Sequence, residues 1–269
     1  MKTERFIKAT AFVVAFFIAI FSSGFVCASD CYLNNDDRVE HVWLDKVIDG
    51  DTVRLKDGRK IRFSAINAPE VAHEDKIAEP YGDAAREYLQ KRLTNNKSLL
   101  YIPSTTSRDN YGRYLGHLFL EDGSSVESEL LRQGLAFQVF FNPSSDYERC
   151  LAEQESIARS QNSGVWSVES VVSSTSSTLN PGFAIVSGRV VDITESRSGT
   201  IWVTLEGNVV LRLSGDAAAS PGATRKWLNK NIEVRGWMVD RSEGGRKLTK
   251  GFKRWMILVY QKASVRLFP

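Results

Sequence analysis

Three short runs of the chain together hold acidic oxygens, two arginines and one further carboxylate. They are Asp49-Gly50-Asp51-Thr52, the stretch from Arg62 to Asn67-Ala68-Pro69-Glu70, and Arg108-Asp109-Asn110-Tyr111-Gly112-Arg113. An anionic phosphorus centre repels nucleophiles until its oxygens are neutralised, and guanidinium groups and metal ions both neutralise them. A remaining carboxylate can take a proton from an attacking water. The three runs therefore predict a site that breaks a phosphate diester.

Each run by itself has a plainer structural interpretation. Asp-Gly after an apolar stretch is a β-turn signal, and Asn110 to Arg113 also fits an ordinary loop. The order and spacing of the three runs favour the functional interpretation. As a set, residues 42–167 resemble the staphylococcal nuclease (thermonuclease) family, including Arg132-Gln133-Gly134-Leu135-Ala136 and the terminal Gly164-Val165-Trp166-Ser167. The resemblance covers nearly half the chain and implies a five-stranded barrel of the OB type with three helices.

The resemblance also implies a calcium site. In the family, the positions of Asp51, Asn67 and the backbone carbonyl of Ala68 bind the ion, and Asp49 supplies a charge just behind them. Carboxylate and carbonyl oxygens suit one Ca²⁺ ion. Asn67 stands where the family usually has aspartate, which lowers the expected affinity and leaves other divalent metals open. A simple hairpin turn is the alternative for Asp49 to Asp51.

Two arginines and one glutamate carry the implied catalytic roles. The family uses the arginines at Arg62 and Arg113 to hold the scissile phosphate, and the glutamate at Glu70 to activate water. A guanidinium fork holds two phosphate oxygens and stabilises charge in the transition state. For Arg62 a structural ion pair is the alternative, and for Glu70 a solvated loop carboxylate.

Three further residues are implied in substrate binding. Tyr111 matches a tyrosine that hydrogen-bonds the terminal phosphate, and Asn110 stands where well-studied members carry lysine. Phe140 falls near the position of a family tyrosine on which a base stacks. A phenyl ring can also stack on a base but cannot donate a hydrogen bond. Phe140 is equally open to a core or partner-facing role.

The periodicity predicts a mainly β, α+β arrangement. Strands are predicted at 42–48, 53–55, 60–66, 99–102 and 114–120, and helices from Pro80, up to Gly134, and over 146–161 with Asp146 as cap.

The first residues are typical of an export signal. Lys2, Arg5 and Lys8 precede an apolar run from Ala9 to Phe25, and Val26-Cys27-Ala28 favours cleavage after Ala28. An uncleaved anchor and a lipid-modified Cys27 are the alternatives. Cleavage sends the protein to the periplasm or the medium and leaves two cysteines, Cys31 and Cys150. An even pair in an oxidising compartment predicts a disulfide, unless the two thiols are unrelated.

Charge divides the remaining chain into two parts. Residues 29–182 hold 17 Lys and Arg against 24 Asp and Glu, a net of −7, whereas residues 183–269 hold 15 against 7, a net of +8. The sequence predicts an extension at 29–41, a nuclease-like domain at 42–167, a Ser/Thr-rich linker at 168–182 and a basic domain at 183–269.

The basic domain is predicted to be a second OB-like β-barrel, from about five strands with helix at 224–228. Its cations Arg241, Arg246, Lys247, Lys250, Lys253 and Arg254 are interleaved with Trp237, Phe252 and Trp255. Cations follow phosphates and aromatic faces accept bases, so this cluster predicts nucleic-acid binding. A solvated surface over core tryptophans, or docking on an anionic envelope surface, are the alternatives.

We therefore expect an exported, calcium-dependent nuclease that acts on DNA and RNA, without a stable protein partner. The alternatives are a nucleic-acid-binding protein and an envelope interaction protein, each with the nuclease fold and little catalysis.

Overall fold

The computed structural model describes residues 31–33, 36–72, 77–95, 97–141, 145–245, 247–249 and 251–268. The predicted signal peptide, residues 1–28, lies outside this set, as do Arg246 and Lys250 of the basic cluster. Within the described ranges, no helix has the length and apolar character needed to cross a membrane.

The strands and helices follow the chain in two groups. The strands are β1 (Glu40–Val47), β2 (Thr52–Leu55), β3 (Lys60–Phe63), β4 (Ile66–Asn67), β5 (Ser98–Arg108), β6 (Tyr114–Phe119), β7 (Phe137–Gln138), β8 (Val171–Ser173), β9 (Gly182–Glu195), β10 (Ile201–Leu205), β11 (Val209–Leu213), β12 (Asn231–Asp240), β13 (Trp255–Val259) and β14 (Val265–Leu267). The α-helices are α1 (Gly82–Leu93), α2 (Val126–Arg132), α3 (Asp146–Ser160), α4 (Gly215–Ala218) and α5 (Pro221–Thr224). Short 3₁₀ turns cover Gly164–Ser167, Arg225–Trp227, Glu243–Gly245 and Lys262–Ser264.

The first group closes into a barrel in the strand order β1-β2-β3-β6-β5. Neighbouring strands are antiparallel except β3 and β6, which run parallel. Alternate residues such as Val53, Leu55, Ile61 and Phe63 are buried inside it, because successive side chains of a strand face opposite sides. Helices α1, α2 and α3 belong to the same half, so the predicted OB-type barrel with three helices is confirmed.

The second group closes in the same way. Strands β9, β10, β11, β13 and β12 form a ring in that order, since β12 pairs back to β9, and β11 runs parallel to β13. This repeats the order of the first barrel. Helical turns lie between β11 and β12, the third and fourth of these strands along the chain. The second OB-like barrel is therefore confirmed. It carries two further strands, β14 beside β12 and β8 beside β9.

The Ser/Thr-rich segment at 168–182 is packed against the second barrel. Strand β8 lies within it, Ser174 is fully buried, and the Ser174 hydroxyl donates to the carbonyl of Glu206 at 2.6 Å. Leu179 belongs to the core of the second barrel. The segment predicted as a linker is therefore packed on the second barrel, because its small side chains fit close to a strand such as β9.

Two helix starts differ from the sequence-based expectation. Helix α1 begins at Gly82, after Tyr81 turns the chain at φ 71°, so Pro80 precedes the helix. Helix α3 is capped by Ser145, whose hydroxyl accepts from the Glu148 N–H, and Asp146 is its first residue.

Two glycines from the family motifs meet where the first domain ends. Gly134 and Gly164 have φ of +67° and +54°, and a Cβ on Gly164 would lie 2.0 Å from the carbonyl oxygen of Gly134. Only glycine fits both positions without displacing the backbone.

A disulfide joins α3 to the N-terminal extension. Cys150 of α3 bonds to Cys31 with a Cα–Cα distance of 5.8 Å, which confirms the predicted disulfide.

The two barrels contact each other through charged and aromatic side chains. The interdomain ion-pair network consists of Glu155, Arg159, Glu233 and Arg235. Arg235 Nη1 lies 2.8 Å from the Glu155 carboxylate, and Arg159 donates to Glu233 at 2.7 Å. Rings also connect the barrels, because Phe137 of β7 stacks on Phe183 of β9 with centroids 5.8 Å apart.

Candidate active site

The loop between β1 and β2 brings Asp51 against the backbone at Ala68. Gly50 makes the close approach, because a Cβ there would lie 2.6 Å from the Ala68 Cβ and 2.7 Å from the Ala85 Cβ. Asp49 shapes the loop by accepting a hydrogen bond from the Asp51 N–H at 3.0 Å. The turn predicted from Asp-Gly is therefore present, and it serves to position Asp51.

Asp51 is a buried carboxylate that contacts Arg62 of β3 and the backbone directly after β4. Its Oδ2 accepts from the Ala68 N–H at 2.8 Å and lies 3.0 Å from Arg62 Nη1. Burial raises the pKa of the Asp51 carboxyl to about 7; the charge of Asp49 adds to this rise, while Arg62 and the Ala68 N–H oppose it. The negative charge of Asp51 is thus only partly compensated by its protein partners.

Arg62 is fully engaged with protein oxygens. It pairs with Asp51, donates to the carbonyls of Phe63 and Ile66 at 2.7 and 2.8 Å, and donates to Asn67 Oδ1 at 2.9 Å. The side chain is only 11% exposed. The structural ion pair considered for Arg62 is therefore what the structure contains.

The donor set at this point suits a hard cation. Asp51 offers a carboxylate with a raised pKa, Asn67 an amide oxygen and Ala68 a backbone carbonyl, and calcium accepts each of these oxygen types. Across the described ranges, no group of three or more His, Cys, Asp and Glu residues is placed to hold a metal. A metal here would thus depend on neutral oxygens beside one or two carboxylates.

Arg113 reaches the same site from the start of β6. Its Nη1 lies 3.4 Å from the hydroxyl of Thr52, the residue directly after Asp51 and the register partner of Arg62. Asp109 fixes Arg113 by accepting from its Nε at 2.7 Å and from its backbone N–H. The sequence did not identify Asp109 and Thr52 as positioning residues, although both lie in the three motif runs and Asp109 is four residues from Arg113.

The turn before Arg113 exposes two of the predicted substrate-binding residues. Tyr111 is 86% exposed, with its ring centroid 5.6 Å from the Arg113 guanidinium, and Asn110 is exposed beside it. The Tyr111 ring therefore lies beside the Arg113 guanidinium, and Asn110 is the residue before it in the chain.

Glu70 is an exposed residue two positions after Ala68, between buried Pro69 and Val71. Its backbone N–H donates to Glu79 Oε2 at 3.0 Å, and its carbonyl accepts from the Glu79 N–H. The loop is thereby tied down next to the Asp51 cluster while the Glu70 side chain remains in solvent.

Phe140 lies at the contact between the barrels. Its ring centroid is 5.6 Å from the Arg235 guanidinium of β12. The structure thus places Phe140 against a partner domain, one of the alternatives left open by the sequence.

The basic cluster of the second barrel has a different aromatic composition from the one expected. Trp255 is 7% exposed and belongs to the barrel core, with the Arg254 guanidinium 4.8 Å from its ring centroid. Its position in the strand points it inward, so its ring is not available as a stacking platform. Arg241 instead lies 4.9 Å from the ring centroid of exposed Phe252 and 5.7 Å from that of Trp202.

The lysines and Arg254 of this cluster are partly engaged. Lys253 Nζ donates to the Gly207 carbonyl at 2.6 Å, and Arg254 pairs with Asp240 at the same distance. Lys247 is exposed. Trp202 is a residue that sequence reasoning missed, and its alternation with buried Ile201 and Val203 on β10 was the available signal.

Comparison with known proteins finds a matching family and several relatives. Residues 60–168 match the model of the staphylococcal nuclease homologue family. A thermonuclease of Staphylococcus intermedius is 31% identical over 136 residues, which cover 49% of this chain and 80% of that protein. The chain belongs to the staphylococcal nuclease homologue family.

Two further relatives extend beyond the part that they share with this chain. Endonuclease YncB of Bacillus subtilis (strain 168) is 31% identical over 137 residues, 49% of this chain and 64% of that protein. The SPbeta prophage-derived endonuclease YokF of the same organism is 30% identical over 130 residues, 47% of this chain and 44% of that protein. The family match begins at Lys60, so Arg62, Asn67, Glu70 and Arg113 fall within it, while Asp51 precedes it.

Proposed function

We propose that this protein is a metal-dependent nuclease that hydrolyses phosphodiester bonds of DNA and RNA. The observation that carries the proposal is the convergence of Asp51, Arg62, Asn67 and Arg113 from three separate segments in a member of the staphylococcal nuclease homologue family. Relatives named thermonuclease and endonuclease support the reaction class. Since the chain spans 64% and 44% of the two endonucleases, the proposal concerns the activity of the matched domain.

Arg113 is the residue best placed to bind the scissile phosphate. It is held at its Nε by Asp109, so its remaining nitrogens keep a fixed direction toward Thr52 and the Asp51 loop. Preorganised cations of this kind stabilise charge that develops on phosphate oxygens in the transition state. Tyr111 offers a hydroxyl to a neighbouring phosphate oxygen, and the carboxylate of Glu70 accepts a proton from the attacking water.

We propose calcium as the preferred metal, held by the Asp51 carboxylate, the Asn67 amide oxygen and the Ala68 carbonyl. When bound, the ion supplies positive charge that neutralises the diester. Loss of cleavage in excess chelator, with recovery on calcium addition, is expected. Undiminished cleavage in chelator would remove the metal from the proposal.

Arg113→Ala tests the site, with Arg54→Ala as its matched control. Arg54 is a half-exposed arginine of β2 that pairs with Asp45. Loss of Arg113 should remove about 2–4 kcal/mol of transition-state stabilisation, measured as kcat/KM on plasmid and single-stranded substrates. Near-normal kcat/KM in folded Arg113→Ala would place the site elsewhere, and no cleavage by the wild type with any divalent metal would favour a binding protein.

We further propose that the second barrel binds single-stranded nucleic acid. Residues 183–269, which form this barrel, carry a net charge of +8, against −7 for residues 29–182. Arg241, Phe252 and Trp202 lie on the strands and the loop through which OB folds bind oligonucleotides. Binding should weaken steeply with salt. Retention of the protein on anionic vesicles, without salt-sensitive oligonucleotide binding, would instead support envelope docking.

We also propose that the protein is exported to the periplasm or the medium. The basic and apolar start of the chain and the Cys31–Cys150 disulfide support this, since disulfides persist in oxidising compartments. N-terminal sequencing of the native protein, expected to begin at Ser29, tests it.

A further inference from the structure

An ion pair between the barrels holds the backbone of strand β7. Arg235 Nη1 of β12 donates to the Gln138 carbonyl at 3.1 Å, and the Gln138 N–H donates to Glu155 Oε1 at 2.7 Å. The same nitrogen of Arg235 lies 2.8 Å from each carboxylate oxygen of Glu155. One cation of the second barrel and its carboxylate partner therefore occupy both backbone hydrogen-bonding groups of Gln138.

The other residue of β7 is held by aromatic rings. Phe137 stacks on Phe183 of β9 with centroids 5.8 Å apart, and it meets Trp166 edge-on at 5.3 Å. Phe183 in turn packs against Trp237 of β12 at 5.4 Å. Both residues of this two-residue strand therefore contact the second barrel directly.

Strand β7 is also the pairing partner of β4, which carries the candidate metal ligand Asn67. Ile66 and Asn67 are the register partners of the two β7 residues. The Val139 N–H adds a hydrogen bond to the Ala65 carbonyl at 2.7 Å. A pair of short strands is only marginally stable by itself in water, so the position of β4 depends on the contacts that hold β7.

A shift of β4 would change the Asp51 cluster. The Ile66 carbonyl and Asn67 Oδ1 accept from Arg62 at 2.8 and 2.9 Å. The N–H of Ala68, the residue after β4, donates to Asp51 at 2.8 Å. Movement of β4 therefore alters the placement of Asn67 relative to Asp51, and metal affinity is sensitive to the groups that orient ligands.

The ion pair that holds β7 is well shielded. The side chains of Arg235 and Glu155 are 10% and 8% exposed, and salt screens a buried pair much less than exposed charges. Arg235 lies outside residues 60–168, the part of the chain that matches the family. The support of β7 is therefore supplied from outside the nuclease-like domain.

We propose that Arg235 is a positioning residue for the candidate metal site, and that it fixes Asn67 through strand β7. The inference rests on the proposed metal-dependent nuclease function and gives the second barrel a part in it. Arg235 acts through Gln138, and it is not assigned a contact with metal or substrate. This part differs from strand capture by the basic face of the second barrel, because it changes metal affinity and not the salt dependence of oligonucleotide binding.

Amide hydrogen exchange on the metal-free full chain tests the structural link. Arg235→Leu is compared with Arg159→Leu, which removes the other interdomain arginine. Arg159 bonds to Glu233 at 2.7 Å, so its loss weakens the interface without removing a bond to β7. Exchange of the Val139 N–H should be at least about tenfold faster in Arg235→Leu than in Arg159→Leu, because β7 loses a charged hydrogen-bond partner only in the former.

Calorimetric titration with Ca²⁺ tests the consequence for the site. Arg235→Leu should weaken calcium binding about tenfold, the lower end of the effect of losing a group that supports a metal ligand. Arg159→Leu should keep the wild-type Kd. Arg235→Lys should restore most of the affinity, since an ammonium can donate to the same carbonyl and carboxylate. If Arg235→Leu does not fold, Arg235→Gln, a shorter side chain without the charge, should show the same direction of change.

The outcomes separate this inference from the proposed activity. If the wild type binds calcium and cleaves DNA, but Arg235→Leu keeps the wild-type Kd and Val139 exchange rate, the positioning role is refuted and the activity stands. Equal loss of calcium affinity in Arg235→Leu and Arg159→Leu also refutes it, because general loosening of the interface would explain both. If the wild type cleaves nothing with any divalent metal, yet calcium affinity falls in Arg235→Leu alone, the positioning role stands and the activity is refuted.

Discussion

Replacing Arg235 with leucine should loosen the contact between the two barrels. Arg235 extends from β12 of the second barrel to Glu155 on α3 and also donates to the Gln138 carbonyl of β7 at 3.1 Å. The change keeps an apolar stem and removes the guanidinium. It therefore leaves the Glu155 carboxylate without its interdomain cation.

The size of the effect follows from burial. The side chains of Arg235 and Glu155 are 10% and 8% exposed, and their closest atoms are 2.8 Å apart. Removing one partner of a buried ion pair costs about 3–5 kcal/mol, because the remaining charge is uncompensated. A loss of this size is a large fraction of the ~5–15 kcal/mol that stabilises a typical domain. We expect the interface to open before the barrels unfold.

Urea unfolding and calorimetry measure this loss. Tryptophan fluorescence reports mainly on the second barrel, which holds Trp202, Trp227, Trp237 and Trp255. Its transition should move to lower urea in Arg235→Leu and separate from that of the first barrel. The control Arg54→Leu removes a half-exposed arginine and should cost ~0–1 kcal/mol.

A second substitution distinguishes lost charge from lost packing. In the wild type the Gln138 N–H donates to the Glu155 carboxylate at 2.7 Å. Glu155→Gln keeps an oxygen acceptor for this N–H and removes the charge. The double variant with Arg235→Leu should therefore be less destabilised than the sum of the single variants. Strict additivity, or an Arg235→Leu protein as stable as Arg54→Leu, would refute the ion-pair reasoning.

Three further predictions concern the first barrel. Replacing Cys31 and Cys150 with serine should lower the free energy of unfolding by about 5 kcal/mol, the loop-closure value for a separation of 119 residues, and an unchanged urea midpoint would contradict it. Asn67→Asp should tighten calcium binding in a calorimetric titration, because it adds a charge to an oxygen donor set; an equal or weaker affinity counts against Asn67 as a ligand. Burial lowers the pKa of His117, but Glu127, 3.0 Å away, outweighs burial, so the pKa of His117 in the folded protein is raised. The stability that the protonated His117 contributes is therefore complete below about pH 6.5 and is lost as the pH rises through the pKa of the folded state. The wild-type urea midpoint should therefore fall more than that of His117→Gln between pH 6 and 9, and parallel curves would exclude this contribution.

Much of each barrel could be predicted from local sequence, because apolar and polar residues alternate along strands such as Ile201–Leu205 and Val209–Leu213. Closure of the first barrel came from the family resemblance, since alternation alone does not specify which strands pair. The short sheet of β4 and β7 escaped prediction because two-residue strands carry no period.

The parts of the site that were not predicted depend on long-range register. Arg62 meets Asp51 because β2 and β3 pair Thr52 with Arg62, and that register is not visible in either run alone. The contact between Glu155 and Arg235 joins residues 80 positions apart. Trp255 was misplaced because adjacent basic residues suggested a surface position, whereas the strand alternation puts it in the core.

The ion pair of Arg62 affects how the site responds to a cation. Asp51 Oδ2 and Asn67 Oδ1 are the oxygens expected to bind a metal, and both already contact the guanidinium of Arg62. Arg62 and a divalent ion therefore compete for the same two oxygens, while Arg113 keeps its separate partner Asp109. The carboxylate introduced by Asn67→Asp attracts Arg62 as well as the ion. The increase in calcium affinity caused by Asn67→Asp should therefore be smaller than in a site without Arg62. Because Arg62 is held by these two oxygens when no metal is bound, replacing Arg113 should weaken phosphate binding even in the absence of a metal.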